Sequence, residues 1–284
     1  MLRETQYSLK SGQIHALEYG NAEISDISII FLHGWLDNAA SFLTILSELA
    51  SSSPSIHLCA IDLPGHGHSE HKIGDHFYPF HDYIDDVYQV LANLSPNKRV
   101  LVGHSLGALI ASCYSAAFPE QVAGLVQIEG NGPLAESPLN SVKRLRDGVI
   151  SRQRIRRKPL RAMTSIQDAI ERRAKVNNIQ PELIAPIVKR GLEQREERWY
   201  WRHDTYLQSD SLYRMSVDSA EQFRQQITCP QLVILGEEGF AHLQQSEPHT
   251  QSHAAIEVIA GGHHCHLQQS SRVCDLILGL VNKI

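Results

Sequence analysis

The chain has 284 residues, 42% of them hydrophobic and 20% charged, with a formal net charge of -5. That length suits one large domain, or a domain with a lid, around a sizeable core. The acidic balance argues against nucleic acid as a partner, and no apolar run reaches the roughly 20 residues that span a bilayer.

The opening residues, MLRETQYSLKSG, contain no apolar stretch of the signal-peptide kind. Five cysteines, Cys59, Cys113, Cys229, Cys265 and Cys274, are odd in number and scattered, as expected of reduced thiols rather than a disulfide framework. Both features lead to the expectation of a cytoplasmic protein.

Apolar runs of strand length fall at residues 27–32, 56–61, 100–103, 122–128, 231–235 and 256–259. Helical periodicity fills residues 41–49, 83–94 and 106–118 between them, and 272–281 at the end. Alternating strands and helices predict an α/β fold, a mostly parallel central sheet flanked by helices. The rhythm breaks between the fourth and fifth runs, where segments 141–149, 166–176 and 181–194 read as helical. Pro133 to Gln225 carry 19 Lys and Arg against 12 Asp and Glu, leaving 7 against 19 elsewhere. The reading is therefore a core of residues 1–132 and 226–284 with a helical cap, 133–225, inserted over the sheet's carboxyl edge.

Gly103-His104-Ser105-Leu106-Gly107 follows the strand KRVLV and opens a helix. In that setting G-x-S-x-G is a nucleophile elbow: the glycines allow a tight turn that pushes the Ser105 hydroxyl out. The helix N-terminus offers the N–H of Leu106 to a developing oxyanion. A second donor is expected from the loop after an early strand, where LHGW places the N–H of Trp35. The base should lie late in the chain, and His263 follows the glycine pair Gly261-Gly262 before the last helix. The compact HHCH run, 263–266, also invites a metal, but such closely spaced side chains need a second ligand segment to converge. No metal and no cofactor are expected.

LHGW, DLPGHGHS at 62–69, GHSLG at 103–107 and GGH at 261–263 occur in this order. Together they resemble the α/β-hydrolase superfamily, in its capped, MenH- and haloalkane-dehalogenase-like branch. The string LHGWLDNAASF most resembles the serine hydrolase-like proteins. The resemblance covers residues 10–132 and 226–284 and leaves the cap, hence the substrate, open. Dehalogenases and epoxide hydrolases of this fold carry an aspartate where Ser105 stands, which disfavours both. A rival pattern, His66-Gly67-His68-Ser69-Glu70-His71, imitates the HxHxDH of metallo-β-lactamase-like enzymes but lies inside DLPGHGHS.

The third member of the implied triad departs from the usual pattern. Most members place the acid as G-x-x-D after the fifth strand, but here the run is Gly236-Glu237-Glu238-Gly239. Glu129, closing the apolar run LVQI, is the preferred acid, as in some dehalogenase-like members. Glu238 is the alternative, followed by Glu237 or an acid such as Asp218.

For the pocket, His104 and the cap tryptophans Trp199 and Trp201 are candidates, although RWYWRHD also reads as cap core with solvated charges. The run RQRIRRK, 152–158, reads as a solvated face before a polyanion site. The expected function is a serine hydrolase cleaving an ester or thioester of small to medium size through an acyl-enzyme. Carbon–carbon hydrolysis of a vinylogous diketone and a non-catalytic binding protein are the alternatives. Partners are limited to a small-molecule substrate, in a monomer or homodimer.

Overall fold

The run ISIIFL has five of its six side chains buried, with no polar face. A strand buried on both sides belongs inside a parallel sheet, and the computed structural model places it there. The structure describes residues 1–94, 98–244 and 254–284.

The first half of the chain contains β1 (Arg3–Leu9), β2 (Gly12–Tyr19), β3 (Ile27–Leu32), α1 (Leu43–Ser52), β4 (His57–Ile61), α2 (Asp82–Ala92), β5 (Lys98–His104), α3 (Leu106–Ala117) and β6 (Gly124–Ile128). The insertion adds β7 (Ala135–Glu136), α4 (Ser141–Arg156), α5 (Ile166–Asn177), α6 (Pro181–Arg190), β8 (Leu192–Arg195), β9 (Arg198–Trp201) and β10 (Met215–Ser216). Then come α7 (Val217–Gln226), β11 (Gln231–Glu238), α8 (Ala241–Gln244), β12 (Ala254–Gly262), α9 (Cys265–Gln268) and α10 (Ser270–Val281).

Eight strands form one sheet in the order β1-β2-β4-β3-β5-β6-β11-β12. Pairing is parallel from β4 through β12, and antiparallel where β2 joins β1 and β4. The two-residue period of β3 splits the core. Ile29 and Phe31 face α1 and α10 through Ile45, Leu46, Ile277 and Leu280. Ile30 and Leu32 face α2 and α3 through Val87, Val90, Ile110 and Tyr114. None of the described helices is long and apolar enough to cross a membrane.

Some expected elements shift. The helix expected over 41–49 opens as a 3-10 turn at Ala39–Phe42, capped by the Asn38 side chain on the Ala40 N–H, before α1 begins. The helix expected over 181–194 stops at Arg190. Gly191 follows, and the chain turns into the antiparallel hairpin β8–β9. Bulky aromatics at Trp199, Tyr200 and Trp201 suit a pleated, half-buried surface better than a helix.

The lid has its own core, in which Ile170, Ile184, Ile187 and Val188 of α5 and α6 meet Met163 and Leu192. The last helix of the insertion, α7, packs on α3 of the main core and also meets β7 and β10.

Polar ties hold the lid down. Arg190 of α6 grips the buried Asp62 with Nε at 3.0 Å and Nη2 at 2.7 Å from Oδ2. Arg173 of α5 donates to Asp37 at 2.7 Å, and Asn38 donates to the Ile187 carbonyl at 2.8 Å.

Candidate active site

Ser105 sits where β5 ends and α3 begins, at φ 50° and ψ -115°. A non-glycine residue there is strained, by about 1–3 kcal/mol, and persists only where its surroundings fix it. They do so here. The Ser105 N–H bonds the Ile128 carbonyl at 2.9 Å, and a Cβ at Gly107 would collide with the carbonyl of Leu32. Leu106 is the first residue of α3, so its N–H has no acceptor within the helix.

One strand over, Glu129 also has a positive φ, 51°, immediately after β6. Its backbone N–H still reaches the Ile234 carbonyl of β11 at 2.9 Å, and its side chain is turned into the protein. There the carboxylate is fully buried and accepts three hydrogen bonds. The Gly236 N–H lies 2.8 Å from Oε1, the Phe240 N–H 3.0 Å from Oε2, and His263 Nδ1 3.2 Å from Oε2. Burial alone would raise the Glu129 pKa. The bonds from His263, Gly236 and Phe240 outweigh it and hold the group below its ordinary value. The apolar run thus ends in a glutamate because two backbone N–H groups of the β11 loop and one imidazole require an anion there.

His263 follows β12, with its side chain about a quarter exposed. The Phe240 ring lies 4.2 Å from its own, centroid to centroid. The ring is therefore held by a carboxylate at Nδ1 and an aromatic alongside, which leaves Nε2 for a proton from elsewhere. The alternative acid Glu238 is exposed at the end of β11, and Glu237 beside it is exposed too. Asp218 lies in the first turn of α7. Among the described residues, the carboxylate bonded to His263 is that of Glu129.

His104, a candidate for the pocket, is 1% exposed. Its Nε2–H donates to the His263 carbonyl at 2.8 Å, which supports the loop carrying His263. Burial, then the neighbouring His266 and His264, push its pKa well below the ordinary imidazole value. Trp199 and Trp201 pack against the lid's own cluster, and neither ring joins the ring contacts around His263. Trp35 is half exposed, and its indole N–H donates to the Leu207 carbonyl at 2.9 Å, which links the LHGW loop to the lid.

That loop is braced by a residue whose role the sequence did not suggest. His33 donates from Nδ1 to the Gly34 carbonyl at 2.7 Å and accepts the Leu63 N–H at Nε2, 2.9 Å away. Full burial lowers its pKa, consistent with this neutral, one-proton pattern. Asp62 went equally unsuspected. Besides Arg190 it receives the N–H groups of Ala39 at 2.7 Å and His68 at 2.8 Å, tying DLPGHGHS to the LHGW loop.

The metallo-β-lactamase-like pattern is not assembled. His66 is buried against the Pro64 carbonyl, His68 meets Glu4, and His71 meets the Arg202 carbonyl. The basic run 152–158 closes α4, and Arg152 and Arg156 lie 4.4 and 5.0 Å from the Phe77 ring centroid. Those two cations help to fix the lid.

The sequence profile of the alpha/beta hydrolase fold matches residues 27–269. The chain belongs to that family. It is 31% identical to a serine hydrolase-like protein of Dictyostelium discoideum over 93% of this chain and 77% of that one. It is 34% identical to a pimeloyl-[acyl-carrier protein] methyl ester esterase of Shewanella woodyi, over 42% of this chain and 40% of the relative. A crystal structure of a hypothetical protein from Pseudomonas aeruginosa PAO1 superposes with a TM-score of 0.86 at 28% identity, covering 98% of this chain and 97% of the other. The protein is an esterase-like α/β-hydrolase-fold serine hydrolase.

Proposed function

We propose that the protein cleaves a carboxylic ester or thioester of small to medium size through an acyl-enzyme on Ser105. The observation that carries this reading is the buried Glu129 carboxylate on His263 Nδ1, in a loop braced by the residue preceding Ser105.

His263 Nε2 takes the Ser105 proton as Oγ attacks the carbonyl carbon. Glu129 keeps the proton on Nδ1 and stabilises the imidazolium that forms, without accepting that proton itself. The N–H groups of Leu106 and Trp35 receive the oxyanion. His263 then gives its proton to the leaving alcohol or thiol. A water attacks the acyl-enzyme by the same path and releases the acid.

The test is labelling with a fluorophosphonate and mapping of the adduct by mass spectrometry, beside a Ser105→Ala control and a panel of p-nitrophenyl esters of rising chain length. A single adduct on Ser105, absent from the control, with turnover of at least one ester, is the expected result. Folded wild-type protein that neither labels nor turns over would sink the proposal.

A further inference from the structure

Behind the catalytic pair lies a second cluster that the proposed reaction does not use. Asp37, His104 and His264 are all buried, and one ligand atom of each lies within 4.8 Å of the other two. His264 Nε2 is 3.2 Å from Asp37 Oδ2, and His104 Nδ1 is 3.8 Å from that same oxygen. The HHCH run therefore finds the second ligand segment it lacked in sequence, in the LHGW loop and the elbow.

His104 makes the arrangement unusual. Its partner at Nε2 is a carbonyl, which only accepts, so the proton sits on Nε2 and the lone pair on Nδ1. That Nδ1 is buried, has no hydrogen-bond partner and faces a carboxylate. A lone pair directed at an anion in a dry interior is unfavourable unless something positive lies between them.

The surroundings are of the kind that orients metal ligands. Asp37 Oδ1 is held by Arg173, and Oδ2 accepts the His264 Nε2–H at 3.2 Å, a proton whose place a bound ion would take. Asn177 lies 3.4 Å from His264 Nδ1, and its Oδ1 is buried without a partner. Turning that amide over would let Oδ1 accept Nδ1–H, the tautomer that frees Nε2 as a ligand. A Cβ at Gly34 would come within 2.9 Å of His104 Nδ1 and 3.4 Å of Asp37 Oδ2. The space before the donors thus depends on a glycine.

We infer that Asp37 Oδ2, His104 Nδ1 and His264 Nε2 form a binding site for one divalent ion of the Zn²⁺ class. Two imidazoles and one carboxylate suit that ion, with a fourth position left open. Bonds of about 2.0–2.2 Å need donors roughly 3.2–3.5 Å apart, so the cluster contracts modestly on binding. Because Arg173 and Asn177 belong to α5, the bound ion would fasten the lid to the LHGW loop.

The test is titration of chelator-stripped protein with Co²⁺, followed by its visible absorption and by calorimetry, with Zn²⁺ as competitor and the melting temperature as an independent readout. One equivalent with a low-symmetry Co²⁺ spectrum and a raised melting temperature is expected. His264→Gln and His104→Gln should abolish it. Asn177→Leu keeps all three ligands and should weaken it about tenfold or more. His68→Gln breaks the separate, partly exposed Glu4–His15–His68 group and should leave it unchanged. Absence of saturable binding to folded wild type would overturn the inference, as would binding that survives His264→Gln and His104→Gln or is lost in His68→Gln.

Discussion

The carboxylate of Glu129 occupies the space a side chain at Gly239 would need. A Cβ built on Gly239 would lie 2.5 Å from Glu129 Cδ. No positive φ demands glycine at 239, so the exclusion is steric. A carboxylate carried at 239 after β11 and the Glu129 carboxylate after β6 therefore compete for one volume, and this chain fills it from β6. Glu129→Gln should lower kcat by about 10⁴-fold, the scale on which a triad acid acts by orienting the base. Gly239→Asp alone should also be crippled, because its side chain collides with Glu129. Glu129→Ala with Gly239→Asp should regain activity over Glu129→Ala. Steady-state kinetics on wild type and these four variants check this, and a double variant no better than Glu129→Ala would refute the exchange.

How far each part could be read from sequence depended on the distance over which it is encoded. The elbow needs only five contiguous residues and a flanking strand, and Ser105 stands where that reading put it. Glu129 could be singled out, ahead of Glu238, because a carboxylate closing an apolar run demands a partner; which groups that partner would be depended on β6 and β11 being neighbours. The lid latches escaped notice: Arg173 and Asp37 lie 136 residues apart, Arg190 and Asp62 128 apart, and charged side chains in a helix read as solvent-facing by default. β1 and β2 escaped too, since β1 is an edge strand with a single buried side chain, Tyr7.

The strain at Ser105 predicts opposite effects on stability and activity. Glycine adopts φ 50° without penalty. Ser105→Gly should melt above Ser105→Ala, by about 1 kcal/mol or roughly 2 °C, while both lack activity. Calorimetry on the pair checks this. Equal melting temperatures would mean that the elbow stores no strain.

Glu129 also gives a pH dependence whose sign follows from its lowered pKa. The unfolded group titrates near about 4.3, so it takes up protons before the folded one as pH falls. Its contribution to stability is complete above that value and is lost as pH drops through the lower folded pKa. The melting temperature of wild type should therefore exceed that of Glu129→Gln near neutral pH, with the gap closing in acid. A gap that stayed constant between about pH 7 and about pH 3 would show that the carboxylate is not held as an anion.

The Arg190–Asp62 pair decides whether the lid is fastened or merely resting. Asp62 is fully buried and Arg190 is 9% exposed, so neither charge is well solvated once the other is gone. Arg190→Met strands the carboxylate, which should cost about 3–5 kcal/mol. Asp62→Asn with Arg190→Met removes both charges while keeping an acceptor for the Ala39 N–H, so most of that loss should return. Denaturant unfolding of the four proteins in a double-mutant cycle measures the coupling directly. A cost below about 1 kcal/mol for Arg190→Met, the range of an exposed pair, would mean that water reaches Asp62 as the lid moves and that the latch opens freely in solution.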